Sequence, residues 1–161
     1  MEYAPRLTST ADLLDEHGDD ASVCQTLLRS YGGRSVFEGR VATLHCFEDN
    51  VVLREQVGQP GGGKVLVVDG GGSHRVALLG DNLAGLALAN GWTGLVINGC
   101  VRDVAALREL DLGIVALGSN PRPSDKGGDG ESNVPVTFGG VTFRPGAYLV
   151  RDEDGIVVLD R

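Results

Sequence analysis

The stretch Lys64-Val65-Leu66-Val67-Val68-Asp69 constrains the fold more than any other part of the sequence. Four apolar residues in a row, three of them β-branched, leave no polar face, which marks a strand buried on both sides. Such strands belong to parallel sheets, and the residues that follow supply the connections. Arg75 to Leu79 reads as a short strand. Asp81 to Asn90 reads as a helix, with Leu83, Leu86 and Ala87 on one face and Gly91 as its stop. Gly94 to Ile97 then reads as a strand, Val104 to Leu110 as a helix and Ile114 to Leu117 as a strand. This alternation over residues 64 to 118 predicts an α/β fold with a parallel sheet and crossover helices. Sites in such sheets lie beyond the carboxyl ends of the strands. Gly70 to His74, Gly99 to Asp103 and Gly118 to Asp129 all fall there.

The flanking segments are less regular. Residues 1 to 6 read as a loose end. Ser9 begins a helix in the capping-box pattern, with Asp12 three residues on and Leu13-Leu14 as the first buried pair. Val23 to Tyr31 reads as a short helical or irregular piece closed by Gly32-Gly33. Between Ser35 and Phe47 the apolar residues Val36, Val41, Leu44 and Phe47 alternate with polar ones and are broken at Gly39, as in two short strands or one bent one. Asp49 or Asn50 caps a helix from Val51 to about Val57, and Gln59-Pro60-Gly61-Gly62-Gly63 is a turn. Ser119 to Gly130 has no periodicity and reads as a mobile loop, a lid or an inter-subunit segment. Val134 to Phe138, Val141 to Phe143, Ala147 to Val150 and Ile156 to Leu159 read as short strands parted by glycine turns. No repeat or linker divides the 161 residues, so one domain spanning 1–161 is expected.

Composition narrows the function. Only four Phe, three Tyr and one Trp accompany a 42% hydrophobic content, so the core is aliphatic, and 25 glycines point to tight turns or close backbone approaches. A net charge of −8 argues against direct nucleic-acid binding, but leaves a basic protein partner open. Cys24, Cys46 and Cys100 are odd in number and widely spaced, which fits buried hydrophobes rather than a disulfide framework or a zinc site. No leader pattern opens the sequence, and no apolar run approaches the about 20 residues that span a bilayer, so the expected location is the cytoplasm.

Several motif readings fail on context. Gly58 to Lys64 nearly matches a phosphate-binding P-loop, but Val65 stands where Ser or Thr should be and a strand follows instead of a helix. Gly70-Gly71-Gly72 resembles a dinucleotide or adenosylmethionine loop, yet Arg75 occupies the last glycine position and no helix comes next. His17, His45 and His74 lack metal-ligand spacing, and Ser73 lacks a nucleophile elbow. Gly80-Asp81-Asn82-Leu83 is more specific, because free N–H groups at a helix start can seat a carboxylate or phosphate. Asp81 by itself also reads as a simple N-cap, and Asp103 as the cap of the helix at Val104. Together they form D-x20-R-D, placing an anion seat, a forked guanidinium at Arg102 and a cation-binding carboxylate at Asp103 on neighbouring strand ends.

Ser9-Thr10-Ala11-Asp12-Leu13, Gly33-Arg34-Ser35, Val67-Val68-Asp69-Gly70, Gly80-Asp81-Asn82-Leu83-Ala84, Gly91-Trp92-Thr93-Gly94, Gly99-Cys100-Val101-Arg102-Asp103 and Asp152-Glu153-Asp154-Gly155-Ile156 occur in that order. With them the sequence resembles the RraA (regulator of ribonuclease E activity A) and 4-hydroxy-4-methyl-2-oxoglutarate aldolase family over most of its length. The resemblance implies an RraA-like fold, layered β/β/α like the swivelling phosphohistidine domain. It also implies assembly as a homotrimer or dimer of trimers, with sites at subunit interfaces. The implied activity is a divalent-metal-dependent (class II) pyruvate aldolase acting on a small 2-oxo acid, with oxaloacetate decarboxylation through the same pyruvate enolate. Asp103 would ligate Mg²⁺ or Mn²⁺ largely surrounded by water, and Arg102 would bind substrate oxygens. The backbone of Gly80, Asp81, Asn82 and Leu83 would seat the pyruvyl carboxylate, while Asp81 would order a metal-bound water for proton transfer. No Schiff base is needed, and Lys64 and Lys126 are poorly placed to form one.

Regulators of the ribonuclease type can lack the first acid, so the presence of Asp81 favours the aldolases. The alternative reading is a protein that binds a ribonuclease E-type enzyme and masks its RNA-binding region. Longer aldolases of the family carry a C-terminal extension that supplies an acid to the neighbouring subunit's site. This sequence stops at Arg161, so the expectation is either a slow aldolase or a different acid, such as Asp129 or Glu131, reaching across.

Overall fold

The structure, a computed structural model, describes residues 9–160, so the expected loose end over residues 1 to 6 lies outside them. The apolar run forms β4 (Val65–Asp69), whose four apolar side chains are fully buried. It lies between β3 (Phe37–His45) and β6 (Gly94–Val101), parallel to both. β7 (Gly113–Ser119) continues the parallel sheet beyond β6, and β5 (Ala77–Leu79) pairs with the last residues of β6.

The absence of alternation in β4 is explained by what covers its two faces. Val65 and Val67, with Val96 and Val115, pack against Val136, Phe138, Val141, Phe143 and Leu149 in a second β layer. Leu66 and Val68, with Leu95, Ile97 and Ile114, pack against three helices, α2 (Val51–Val57), α3 (Asp81–Ala89) and α4 (Val104–Leu107). The result is the β/β/α layering expected of an RraA-like fold.

Two of the strands are longer than their glycines suggest. β3 runs unbroken through Gly39, because a Cβ there would sit 2.5 Å from the Gly63 carbonyl oxygen: the glycine permits a close approach, not a turn. Phe37 to Arg40 pair antiparallel with β11 (Tyr148–Asp152), and Val41 to His45 pair parallel with β4, so this strand passes from one sheet to the other. Its expected inward set holds at Val41 and Leu44, whereas Val36 and Phe47 are about half exposed. β6 likewise continues through Gly99 to Val101, so only Arg102 and Asp103 lie beyond it, and α4 ends at Leu107 instead of Leu110.

The segment from Val23 to Tyr31 is not helical. Sheet edges offer its backbone better partners, and β1 (Ala21–Val23) adds to β12 (Gly155–Leu159) while β2 (Arg29–Ser30) adds to β7. β8 (Glu131–Ser132) pairs with the end of β3. The hairpin of β9 (Val136–Phe138) and β10 (Val141–Phe143) turns on Gly139 and Gly140, both at positive φ.

Helix α1 (Thr10–His17) is capped by Ser9, whose hydroxyl accepts from the Asp12 N–H, and it buries Leu13 against Val150, Val157 and Leu159. Asp152 fastens it to β11 by accepting from the Thr10 N–H at 2.9 Å and the Thr10 hydroxyl at 2.7 Å. Burial pushes the Asp152 carboxyl up, but these donors and the N–H groups of Asp154 and Gly155 hold it below the usual carboxylate range. A carboxyl whose folded pKa is depressed contributes stability above its unfolded value of about 3.9, and loses it as pH falls through the lower folded value. Asp152→Asn is therefore expected to lose about 1–3 kcal/mol of unfolding free energy at neutral pH. Urea titrations at several pH values should show this gap from wild type closing below about pH 4; a gap that stays constant with pH would overturn the assignment.

Candidate functional site

β6 delivers Arg102 and Asp103 to the carboxyl edge of the sheet, where the Arg102 N–H extends the ladder to the Leu79 carbonyl at 2.9 Å. Asp103 then adopts a left-handed backbone, with φ 59° and ψ 42°. Asp tolerates this region better than most residues, and a non-glycine residue held there at a cost marks a position the surroundings dictate. Its side chain does not cap α4, as the sequence suggested. Instead Oδ2 of Asp103 accepts from the Asp81 N–H at 3.0 Å, across two elements. The N-cap of α3 is Gly80, which has no side chain to offer, so an acid from β6 fills that role. A Cβ on Gly80 would lie 2.6 Å from Oδ2 of Asp103 and 3.4 Å from Cγ of Arg102. A side chain there would have to displace the Asp103 carboxylate, which lies over Gly80 to reach the Asp81 N–H.

The first-turn N–H groups of a helix have no intrahelical acceptor. With that of Asp81 satisfied by Asp103, those of Asn82 and Leu83 remain for an anion, in the favourable field of the helix dipole. Gly80, Asp81, Asn82, Leu83, Arg102 and Asp103 all line one cavity of about 150 Å³. All six residues singled out from the sequence thus converge. Arg102 and Asp103 also face a second hollow of about 260 Å³ bounded by Ser119, Asn120 and Pro121, and Arg102 donates to the Pro121 carbonyl at 3.4 Å.

The same cavity is lined by residues the sequence did not single out. Asn50 and Arg54 come from the start of α2, and Ser124 and Lys126 from the segment after β7. Nδ2 of Asn50 donates to the Leu78 carbonyl at 3.0 Å, and Nζ of Lys126 donates to Oδ1 of Asn50 at 2.6 Å. From the sequence, Lys126 reads only as a lysine poorly placed for a Schiff base. It lines the cavity, because the segment carrying it is laid along β5 and not held as a free lid. The Ser124 hydroxyl donates to the Ala77 carbonyl at 2.6 Å, the Ala77 N–H to the Arg122 carbonyl at 2.7 Å and the Asp125 N–H to the Glu48 carbonyl at 2.8 Å. The available signal was positional: residues just past the end of β3 share the carboxyl edge with Arg102.

The other motifs remain outside this cavity. N–H groups of the Gly70–Gly72 loop go to the Asn98 carbonyl and to Asp69 Oδ1, and β5 follows it, not a helix. Asp129 accepts from the Phe47 N–H, Glu131 lies in β8, and neither lines the cavity. The three cysteines are buried and free, and burial, helped by the nearby carboxylates of Asp129, Asp49 and Asp69, pushes the Cys46 thiol up to about 12. Among the described residues no group of three or more His, Cys, Asp and Glu side chains forms a metal cage. A larger cleft of about 770 Å³, lined by Arg34, Arg40, Lys64 and Tyr148, opens elsewhere and contains neither Asp81 nor Asp103.

The chain is similar to known proteins over most of its length. A family described as RraA-like, Aldolase/RraA, matches residues 10–158. A Hahella chejuensis protein named "Putative 4-hydroxy-4-methyl-2-oxoglutarate aldolase" is 52% identical over 149 residues, covering 92% of this chain and 91% of its own. Among solved structures, a Geobacillus kaustophilus protein described as an S-adenosylmethionine: 2-dimethylmenaquinone methyltransferase superimposes with a TM-score of 0.94 at 47% identity, covering 96% of each chain. The RNA-processing inhibitor RraA from Thermus thermophilis superimposes with a TM-score of 0.93 at 45% identity, covering 97% of this chain and 94% of that one. The chain belongs to the RraA-like family. No helix among the described residues is long and apolar enough to cross a membrane.

The contact between Gly80 and Asp103 can be tested without any ligand. Gly80→Ala is expected to lose about 1–3 kcal/mol through overpacking. Adding Asp103→Ala should relieve the clash, leaving the double variant no less stable than Asp103→Ala alone. Urea unfolding measures all three variants, and strictly additive losses would show that the two residues do not meet.

Proposed function

We propose that this chain is a divalent-metal-dependent lyase that cleaves 4-hydroxy-2-oxo acids of the 4-hydroxy-4-methyl-2-oxoglutarate type to pyruvate, and that it decarboxylates oxaloacetate through the same enolate. The observation that carries this reading is the convergence of a helix start, Arg102, Asp103 and Asp81 on one cavity that also holds Arg54 and Lys126. The name borne by the Hahella relative supports the substrate class.

The donor set fits a hard cation. Asp103 presents an exposed carboxylate of which Oδ2 is engaged by the Asp81 N–H, leaving Oδ1 as a ligand. With no cage of side chains around it, a cation held by Asp103 would keep most of its water, as Mg²⁺ tolerates. When bound it supplies Lewis-acid stabilisation of the negative charge that develops on the 2-oxo oxygen.

The chain's own groups do the rest. The N–H groups of Asn82 and Leu83 seat the carboxylate next to the 2-oxo group, and Arg102 holds the oxo and carboxylate oxygens. Lys126 and Arg54 receive the carboxylate at the far end of the dicarboxylic substrate. Asp81 takes the proton of the C4 hydroxyl through a water that it orders; the C3–C4 bond breaks and its electron pair passes to C3 and the 2-oxo oxygen as an enolate. C4 becomes the carbonyl carbon of the leaving keto acid. The proton returns from Asp81 to C3 and completes the methyl group of pyruvate. With oxaloacetate the same C3–C4 bond breaks, and carbon dioxide leaves. A homotrimer or dimer of trimers is part of this reading and is measured by light scattering.

Coupled lactate dehydrogenase assays should detect pyruvate from both substrates with Mg²⁺ or Mn²⁺, and EDTA should abolish the signal until metal is restored. Asp81→Asn is expected to lower kcat about 10²–10⁴-fold, as loss of a general acid-base group does, and Asp103→Ala should remove the metal response. Borohydride with pyruvate should leave activity intact; inactivation with Lys126 labelled would replace the metal route by a Schiff base. Absence of turnover on either substrate would end the proposal.

A second reading, a protein-binding regulator of a ribonuclease E-type enzyme, is favoured by the likeness to the Thermus inhibitor and by a net charge of −8 suited to a basic partner. Pull-down of the host's ribonuclease E-type enzyme at moderate salt tests it, and no retention would count against it.

A further inference from the structure

Asp49 does not line the cavity, yet both arms that complete it are tied to this side chain. It is 3% exposed. Its Oδ1 accepts from the Val51 N–H at 3.0 Å, and Oδ2 accepts from the N–H groups of Gly127 at 2.5 Å and Gly128 at 2.9 Å. The Asp129 N–H adds to these donors. One carboxylate therefore caps α2, whose N-cap Asn50 makes no side-chain cap bond, and is cradled by the turn after Lys126. The cradle depends on two glycines. Gly128 has φ +94°, and a Cβ on Gly127 would lie 3.2 Å from Oδ2. Burial alone would push the Asp49 carboxyl up, but the N–H groups around it hold it below the usual carboxylate range, so it stays charged at neutral pH.

Each arm carries residues of the cavity. Asn50 and Arg54 belong to the α2 arm, Lys126 to the loop arm, and the bond from Lys126 Nζ to Asn50 Oδ1 closes the ring between them. We propose that Asp49 is a positioning residue of this site: a buried carboxylate that clamps the start of α2 to the Gly127-Gly128 turn, and so sets Lys126 and Arg54 to receive the second carboxylate of a dicarboxylic substrate. This rests on the reading of the cavity given above and adds the residue that shapes its specificity end.

The test uses the full chain with Mg²⁺ and the variants Asp49→Asn, Lys126→Ala and their combination. Circular dichroism and thermal unfolding establish that each folds. Asp49→Asn is expected to lower kcat/KM for 4-hydroxy-4-methyl-2-oxoglutarate about 10–100-fold, mostly through KM, as a misplaced substrate contact does. Pyruvate has one carboxylate and occupies only the Arg102 end, so its inhibition constant should stay within about twofold of wild type, a difference of only about 0.4 kcal/mol. The double variant should be no slower than Lys126→Ala, because both changes remove one contact. Equal losses for substrate and pyruvate, or additive losses in the double variant, would reduce Asp49 to a general stabiliser and overturn the proposal. If Lys126→Ala leaves the substrate's kcat/KM unchanged, the reading of the cavity fails and the proposal with it. Loss of activity in Lys126→Ala but not in Asp49→Asn is a separate outcome, which overturns the role of Asp49 and leaves the cavity's reading standing. Should Asp49→Asn not fold, Gly128→Ala strains only the loop arm and is scored the same way.

Discussion

The hydrogen bond from the Asp81 N–H to Oδ2 of Asp103 joins the start of α3 to the end of β6, and the arrangement of the site depends on it. Three local irregularities exist to make it. Gly80 gives up a side-chain cap, Asp103 takes a left-handed backbone at a cost of roughly 1 kcal/mol, and α4 begins without the cap its own Asp could have supplied. Each is poor local chemistry. Together they place a carboxylate at the positive end of α3, beside a guanidinium that lies over the same glycine. Such concentrated violations of local rules cluster at functional positions and support the role proposed for Asp103.

The charge balance around this bond follows from the chain as a whole. A protein with net charge −8 repels small anions at a distance, so the proposed site for a dicarboxylic acid needs local cations to overcome that field. Arg102, Arg54 and Lys126 supply three, against the acids Asp81 and Asp103. They come from three separate segments, the end of β6, α2 and the stretch after β7, so no one element carries the anion affinity.

What could be read from the sequence was what local backbone chemistry determines. The double-faced burial of β4, the helix start at Asp81 and the strand end at Arg102 are written in runs of a few residues, and their convergence follows from a parallel sheet bringing neighbouring strand ends together. Glycine was the main source of error. Gly39 and Gly99 sit inside strands, where a Cβ would meet the Gly63 carbonyl at 2.5 Å or the Leu78 side chain at 3.1 Å, and a sequence does not distinguish a glycine that admits a neighbour from one that turns the chain. Lys126 was missed for a different reason. It lies on an aperiodic stretch whose course is fixed by backbone bonds to Glu48 and Ala77, contacts between residues about 45 to 77 positions apart that no local pattern announces.

Glu48, Asp49 and Asn50, between β3 and α2, show how one scaffold can be retuned. The side chain of Glu48, at positive φ, accepts from the Ser73 hydroxyl and from Nε of Arg75, both at 2.6 Å, Asp49 grips the Gly127-Gly128 turn, and Asn50 meets Lys126. Consecutive side chains thus anchor two loops of the carboxyl edge and contact a cavity-lining Lys, while the buried sheet beneath is unaffected by which residues those loops present. Structures nearly superimposable on this one bear such different descriptions as a methyltransferase and an inhibitor of RNA processing. Shared layers leave the chemistry undetermined. In this chain the glycine loop after β4 spends N–H groups on Asn98 and Asp69, which leaves it poorly equipped for a nucleotide, while the edge at Asp81, Arg102 and Asp103 keeps donors, an acid and cations facing one small cavity. The proposed function therefore places its chemistry at the strand ends.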